Sequence, residues 1–271
     1  MNAPATHSAH PVRAWAGGWQ AAQRDLPDEV PVALVYDGAT QAVMMATPAD
    51  LPDFLLGFAL TEGLISRTDE LSGVEVVPQP RGYEVRGWLA AGAGARLAAR
   101  RRASAGPVGC GLCGIDSIEA ALRPLPRLDP EAGPWLAPEA PMQAMAALAA
   151  AQALHAATRA SHAAGFWQPG AGLLALREDV GRHNALDKLA GALARAGAAA
   201  GGVLVMTSRL SVDLVQKAVM LGAPVLIGAA APTALAVAEA EAAGLTLIGR
   251  ARGKGYDIFT HPQRISDEAR A

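Results

Sequence analysis

The second half of the chain constrains the fold more than any other part, because short apolar runs alternate there with stretches of helical length. The runs are Leu173 to Leu176, Val203 to Met206, Val225 to Ile227 and Leu245 to Ile248; helices are expected to open at about Asn184, Ser211 and Thr233. Brief runs without polar alternation suit strands buried on both faces. Strands and helices in that order imply right-handed crossovers and a largely parallel sheet covered on both sides. The expected fold class is therefore α/β. Ligands of such sheets gather at the carboxyl ends of the strands, where helix N-termini also point.

The first half reads differently. Residues 1–29, with Pro4, Pro11, Gly17, Gly18 and Pro27, are expected to form a loosely ordered arm whose Arg13 and Trp15 can dock on the body. Residues 30–123 form a smaller α+β half. In it, Val32, Leu34 and Tyr36 alternate up to Asp37-Gly38, a hairpin turn, and Val43 to Ala46 return. Thr47-Pro48 then fits an N-cap with proline at the first helical position, opening a helix through Phe54, Leu55, Phe58 and Leu64. Val74 to Val77 and Tyr83 to Leu89 are β-like. Six prolines between 124 and 141 mark a connector, Met142 to Ala164 is an alanine-rich helix pattern, the second half runs over 142–264, and 265–271 is a tail.

Charge and composition narrow the partners. The net charge of -2, with both signs interspersed, supplies no overall field for nucleic acid or an anionic membrane surface. The uncharged segment Ala218 to Ala238 exceeds the roughly 18 residues that suggest a membrane span. Pro224, Pro232, Gly222 and Gly228 interrupt it, so it reads as helix end, strand, turn and helix start. Nothing in Met1 to Gly18 resembles an export signal, and a cytoplasmic location is expected.

The chain has two cysteines, Cys110 and Cys113, set in Gly-Pro-Val-Gly-Cys-Gly-Leu-Cys-Gly over residues 106–114. Two intervening residues let both sulfurs approach one point, and the glycines free the backbone to turn around them. A zinc site would have to recruit ligands elsewhere, since no second Cys-x-x-Cys exists. A thioredoxin-like redox pair ordinarily opens a helix directly after a strand, whereas this motif follows the basic run Arg96, Arg100, Arg101 and Arg102. A thiolate that accepts and passes on sulfur needs an exposed nucleophile on a movable loop. Inert buried thiols are the plain alternative, and the residues alone leave these readings open.

Longer motifs carry a resemblance. Glu-Asp-Val-Gly-Arg-His-Asn-Ala-Leu-Asp-Lys at 178–188, Thr-Ser-Arg at 207–209 with Val-Gln-Lys at 215–217, Thr-His-Pro-Gln-Arg at 260–264 and Cys-Gly-Leu-Cys-Gly resemble the formate dehydrogenase accessory sulfurtransferase family, FdhD/NarQ, from about Pro31 to Arg264. The resemblance implies a homodimeric carrier that takes persulfide sulfur from a cysteine desulfurase. The sulfur goes to the bis(molybdopterin guanine dinucleotide) molybdenum cofactor, a bound substrate that GDP-like nucleotides mimic, before the cofactor enters formate dehydrogenase. It also implies a three-layer α/β/α sandwich similar to cytidine deaminases, without that family's zinc-binding pattern. Cys110 takes the position of the persulfide-bearing cysteine and Cys113 that of its partner; no metal is ligated by the protein.

The same resemblance places cofactor contacts at Arg250, Ala251, Arg252, Gly253, Lys254 and Gly255. Glycines after a strand end, with cationic side chains, suit a phosphate. Lys254-Gly255 stands where relatives often have Gly-Arg, replacing a bidentate contact by a point charge. Arg182, His183 and Asn184 at a helix start can grip phosphate or guanine, or act as a capping cluster followed by an internal Asp187-Lys188 pair. Thr207, Ser208 and Arg209 lie between a strand and a helix, where capping and ligand contact can coexist. Thr158 to His162 keeps the histidine of a family pattern and lacks its glycines. The competing functional classes are a cofactor-binding chaperone with dispensable cysteines and a zinc-dependent module.

Overall fold

A computed structural model describes residues 5–94, 124–129, 131–197 and 202–266. Cys110, Cys113, the glycine-rich stretch around them and the basic run at 96–102 lie outside the described residues.

Two strands, β1 (His7–Trp15) and β2 (Trp19–Pro27), pair antiparallel along their whole length. The expected irregular arm is thus a regular hairpin. Gly17 takes the positive φ its turn needs, and the cross-strand pair Trp15 and Trp19 closes the tip edge-to-face at 5.4 Å between ring centroids. Arg13 sits over the Trp19 ring rather than on the body of the protein, and both indoles are exposed.

A four-stranded sheet follows in the order β4 (Ala39–Ala46), β3 (Val30–Tyr36), β6 (Gly82–Leu89), β5 (Leu71–Gln79). The hairpin at Asp37-Gly38 and both β-like stretches form as expected. Helix α1 (Leu51–Thr61) covers one face of this sheet, packing Phe54, Leu55 and Ala59 on Val32, Leu34, Tyr36 and Val85. The helix does not start at Thr47. Asp50, in the left-handed region, takes the N-cap position without a side-chain bond, and the Thr47 hydroxyl accepts instead from the amide of Val180 at 3.2 Å.

The larger sheet has six strands in the order β12 (Gly255–Thr260), β11 (Thr246–Arg252), β10 (Val225–Gly228), β9 (Val203–Met206), β7 (His162–Gln168), β8 (Gly172–Asp179). The fold is α/β as expected, but the sheet is mixed. Among the described residues of this sheet, the β9–β10 and β10–β11 ladders are parallel; β7, β8 and β12 add antiparallel ladders. Helices α4 (Arg182–Arg195), α5 (Val212–Met220) and α6 (Ala234–Ala243) cover one face, where Leu186, Leu189, Leu214 and Ala240 meet Phe166, Leu204, Leu226 and Leu247. Helix α2 (Ala140–Ala151) covers the other through Ala144 and Leu148.

The alanine-rich stretch after 142 departs from expectation. It holds the end of α2, a short α3 (Ala153–Thr158) and the start of β7. Arg159 in the left-handed region ends α3. Ala163, Ala164 and Gly165 then extend, because strands flank them on both sides and Leu148 of α2 packs where a Gly165 side chain would stand. Ala218 to Ala238 divides into helix end, β10 and helix start, and no described helix is long and apolar enough to cross a membrane.

Helix α1 also packs along α4, and the two approach to backbone contact. A Cβ at Gly57 would stand 1.7 Å from the Asp187 carbonyl oxygen, and one at Gly191 would stand 1.9 Å from that of Asp53. Only glycine permits this approach.

Candidate functional site

The carboxyl ends of β9 and β10 and the bend within β11 lie side by side. The Ala229 amide donates to the Met206 carbonyl at 3.0 Å, Ala230 to Ser208 at 3.4 Å, and Arg250 to Ala230 at 3.2 Å. This row joins two groups expected to form the site, Thr207–Arg209 and Arg250–Gly255. Thr207 is fixed to the neighbouring strand, since its hydroxyl accepts from the Ala163 amide at 2.9 Å. Ser208 is buried and donates to the Arg209 carbonyl at 3.0 Å, whereas Arg209 is exposed.

The basic stretch is a turn between β11 and β12. Arg250 has φ 53° and pairs with Asp257 at 3.2 Å, and Gly253 has φ 71°. Ala251 turns its methyl into the core. Arg252, Gly253, Lys254 and Gly255 are exposed at the tip.

The N-termini of α4 and α5 open toward the same end of the sheet. Arg182 and His183 form the first turn of α4, and Ser211 takes the N-cap position of α5. His183 Nε2 contacts the carboxylate of Asp213, in the first turn of α5. Burial lowers the pKa of His183 to about 4, helped by the positive charges of Arg182 and Lys217; Asp213 and Glu62 oppose the shift without reversing it. The imidazole is neutral at pH 7. His162, at the start of β7, is shifted down in the same sense, by burial and then by Arg182, so it shares the electrostatic environment of that cluster. Among the described residues, the buried Nε of Arg182, Nε2 of His183 and Oγ of Ser211 have no hydrogen-bond partner, the Nε2 contact with Asp213 being one of charge alone. Unsatisfied buried donors at adjoining helix N-termini suit an anionic or hydrogen-bonding ligand.

Asn184 behaves differently from its neighbours. It is 2% exposed, and its amide donates to the Met45 carbonyl at 2.8 Å and to Asp179 at 2.9 Å. It supports the helix start from within. Asp179 is the centre of this support: besides Asn184, its carboxylate accepts from the amides of Thr47 and Gly181 and from Lys188 Nζ at 2.6 Å. One turn on, Lys217 Nζ donates to Asp187 at 2.8 Å, to Glu62 at 2.8 Å and to Thr61 at 3.0 Å. Burial opposes the Lys217 charge, but the two carboxylates outweigh it and hold its pKa above the ordinary lysine value. The internal Asp187-Lys188 pair of the capping alternative does not form. Asp213 carries no signal in the sequence, because its contact with His183 exists only once α5 lies beside α4.

A mixed α/β sheet, with helix N-termini and a cationic turn gathered at its strand ends, defines the class of α/β protein to which this chain belongs. The FdhD/NarQ family model matches residues 27–266, and the chain belongs to that family. It is 53% identical over 244 residues, 90% of each chain, to the sulfur carrier protein FdhD of Agrobacterium fabrum. The protein of the same name from Brucella abortus is 52% identical over 260 residues, covering 96% of this chain and 95% of its own. In fold, the chain is similar to a crystal structure from Desulfotalea psychrophila described as a candidate formate dehydrogenase accessory protein. Its TM-score is 0.74 at 24% identity, covering 97% of this chain and all of that one.

Proposed function

We propose that this chain is a sulfur carrier in formate dehydrogenase maturation, working in the cytoplasm as a homodimer. Cys110 is the acceptor. Its thiolate attacks the terminal sulfur of a cysteine desulfurase persulfide, a new S–S bond forms on Cys110, and the desulfurase thiolate leaves. Cys113 assists acceptance or release. The cargo's destination is the bis(molybdopterin guanine dinucleotide) molybdenum cofactor, which is the substrate of the transfer and not a resident group of the protein. The open end of the sheet receives its nucleotide portions: Arg182 and His183 from α4, Thr207, Ser208 and Arg209 after β9, and the backbone and cations of Arg250 to Gly255.

The observation that carries this reading is identity above 50%, across nine-tenths or more of the chain, with proteins named sulfur carrier protein FdhD. Arg182 Nε, His183 Nε2 and Ser211 Oγ, without a hydrogen-bond partner among the described residues, support ligand binding at the sheet end. Asn184 contributes by fixing the helix start.

Intact-protein mass spectrometry after incubation with a cysteine desulfurase and free cysteine tests the proposal. The expected result is a gain of one sulfur that is absent in Cys110→Ala. A Cys110→Ala, Cys113→Ala double variant that still matured formate dehydrogenase would instead make the protein a cofactor-binding chaperone.

A further inference from the structure

The hairpin of β1 and β2 is supported by α3, which packs along β2, and most side chains of both strands are exposed. A two-stranded hairpin is marginal in water by itself, so an arm of this length calls for a partner surface. Its tip turns at Gly17 and carries Trp15 and Trp19 at 65% and 63% exposure, with Arg13 over the Trp19 ring. Tryptophan and arginine are the side chains that anchor protein interfaces. From Arg13 to Arg24 the arm has no acidic residue, so the tip is cationic.

A cavity of about 230 Å³ lies at the other end of the large sheet from the candidate site, beside the C-terminal ends of α4 and α5 and the start of β9. Phe166, Leu193, Leu204, Met220 and Leu221 give it apolar walls, and the exposed Arg67 stands at its mouth. A void of about 150 Å³ takes up a benzene ring, and small-molecule pockets begin at about 300 Å³, so this cavity suits one indole better than a nucleotide. The 3-10 turn Thr68–Glu70 adds the carboxylates of Asp69 and Glu70 beside Arg67, which leaves the mouth net negative.

We propose that the hairpin is an exchanged arm whose tip enters this cavity on a second copy of the chain, Trp15 filling it and Arg13 joining Arg67 at the Asp69 carboxylate. The proposal names the contact that makes the homodimer and rests on that reading. Size and charge both select the occupant: the cavity takes one ring system, its acidic mouth favours a cation beside that ring, and the arm presents the two together. The arm is also present at the same concentration as the cavity. Each copy gives one arm and receives one, so a two-fold pair closes without recruiting further copies. Burial of the indole in apolar walls supplies the affinity, and the charge at the mouth sets which way the tip enters.

Sedimentation equilibrium of the full chain, from nanomolar to micromolar concentration, reads the contact. Trp15→Ala alters an exposed tip and is expected to weaken dimerisation about 1,000-fold, because truncating an interface anchor costs about 30-fold and the contact occurs twice. Ala194→Phe fills the cavity from α4 and is expected to do the same. Mixed at concentrations where each alone is monomeric, the two variants should form heterodimers, since one keeps a cavity and the other an arm. Charge reversal is an independent check that spares the packing: Asp69→Arg is expected to weaken dimerisation, and Arg13→Asp added to it to restore the loss. A wild-type dimer whose stability is unchanged by Trp15→Ala or by Asp69→Arg, or a mixture that stays monomeric, would overturn the exchanged arm and leave the homodimer standing. A wild-type chain that is monomeric throughout would overturn the homodimer and this contact with it, while the gain of one sulfur would still test the carrier reading by itself.

Discussion

Asp187 and Lys188 are adjacent in the chain and take different partners. Asp187 receives Lys217 from α5 and the Thr61 hydroxyl from α1, whereas Lys188 reaches Asp179 and the Thr47 carbonyl. Successive helical positions point about 100° apart, so neighbours of opposite charge serve two separate buried sites instead of neutralising each other. Each ammonium also lies over a ring of α1, Lys188 over Phe54 at 5.7 Å and Lys217 over Phe58 at 5.5 Å.

The Asp179 and Lys188 side chains are both wholly buried, so removing either leaves an uncompensated interior charge. Asp179→Ala is expected to cost about 3–5 kcal/mol in urea unfolding, and Lys188→Met a similar amount. The double variant should be markedly less destabilised than the sum of the two. Additive losses would show that the pair is not coupled.

The approach of α1 to α4 makes a second prediction. Gly57→Ala or Gly191→Ala inserts a methyl against a backbone carbonyl that cannot rotate away, so the helices must separate. The expected loss is about 3 kcal/mol, at the upper end of the range for overpacking. A fall in the urea midpoint with an unchanged slope is the signature; a loss under about 0.5 kcal/mol, typical of a surface site, would contradict it.

Acid should weaken the fold through His183. Its pKa falls from 6.5 to about 4 on folding, so above pH 6.5 the ring is neutral in both states and carries no penalty. As the pH drops from 6.5 toward 4, the unfolded chain takes up a proton that the folded chain refuses, and stability declines by up to about 3 kcal/mol. Unfolding free energies measured across that window should show this slope in the wild type and a shallower one in His183→Gln.

Arg264 makes a structural prediction for a residue in one of the family motifs. Wholly buried, it donates to the carbonyls of Asp129, Ala132 and Gly244 and to the Thr246 hydroxyl. Burial pulls its pKa down, yet the fork of the guanidinium satisfies four separated acceptors. Arg264→Lys cannot reach them from one nitrogen and should cost about 2 kcal/mol, lowering the melting temperature by roughly 5 °C.

Much of the frame was readable from residue pattern. The runs at Val203, Val225 and Leu245 became strands, and Ser211 and Thr233 took N-cap positions, Thr233 with a side-chain bond from the Ala236 amide at 3.2 Å. Local signals of that kind depend on residues close in sequence. Strand β7 was missed because Ala163, Ala164 and Gly165 have no strand preference of their own and extend only between two neighbours. The hairpin of β1 and β2 was missed because its register comes from a tryptophan pair across a turn and not from a buried face. At the site, the residues expected to bind lie near the strand ends, but the groups that orient them carry no signal in the sequence. Asp179 and Asp213 act on partners across helices, and pattern within one segment carries no record of that.

The charges that cross between the two halves of the chain carry one more consequence. Asp53 on α1 binds Arg177 at 2.6 Å and Arg195 at 2.9 Å, and Thr61 and Glu62 hold Lys217, so each half contains ions whose counterions the other half supplies. The second half alone still pairs Lys217 with Asp187, but the first half alone leaves the buried Asp53 without either arginine. The contact of α1 with α4 and α5 is therefore neutralised only when residues from Asp53 to Lys217 are all in place, so the charge balance of this interface is a property of the whole chain and of neither half.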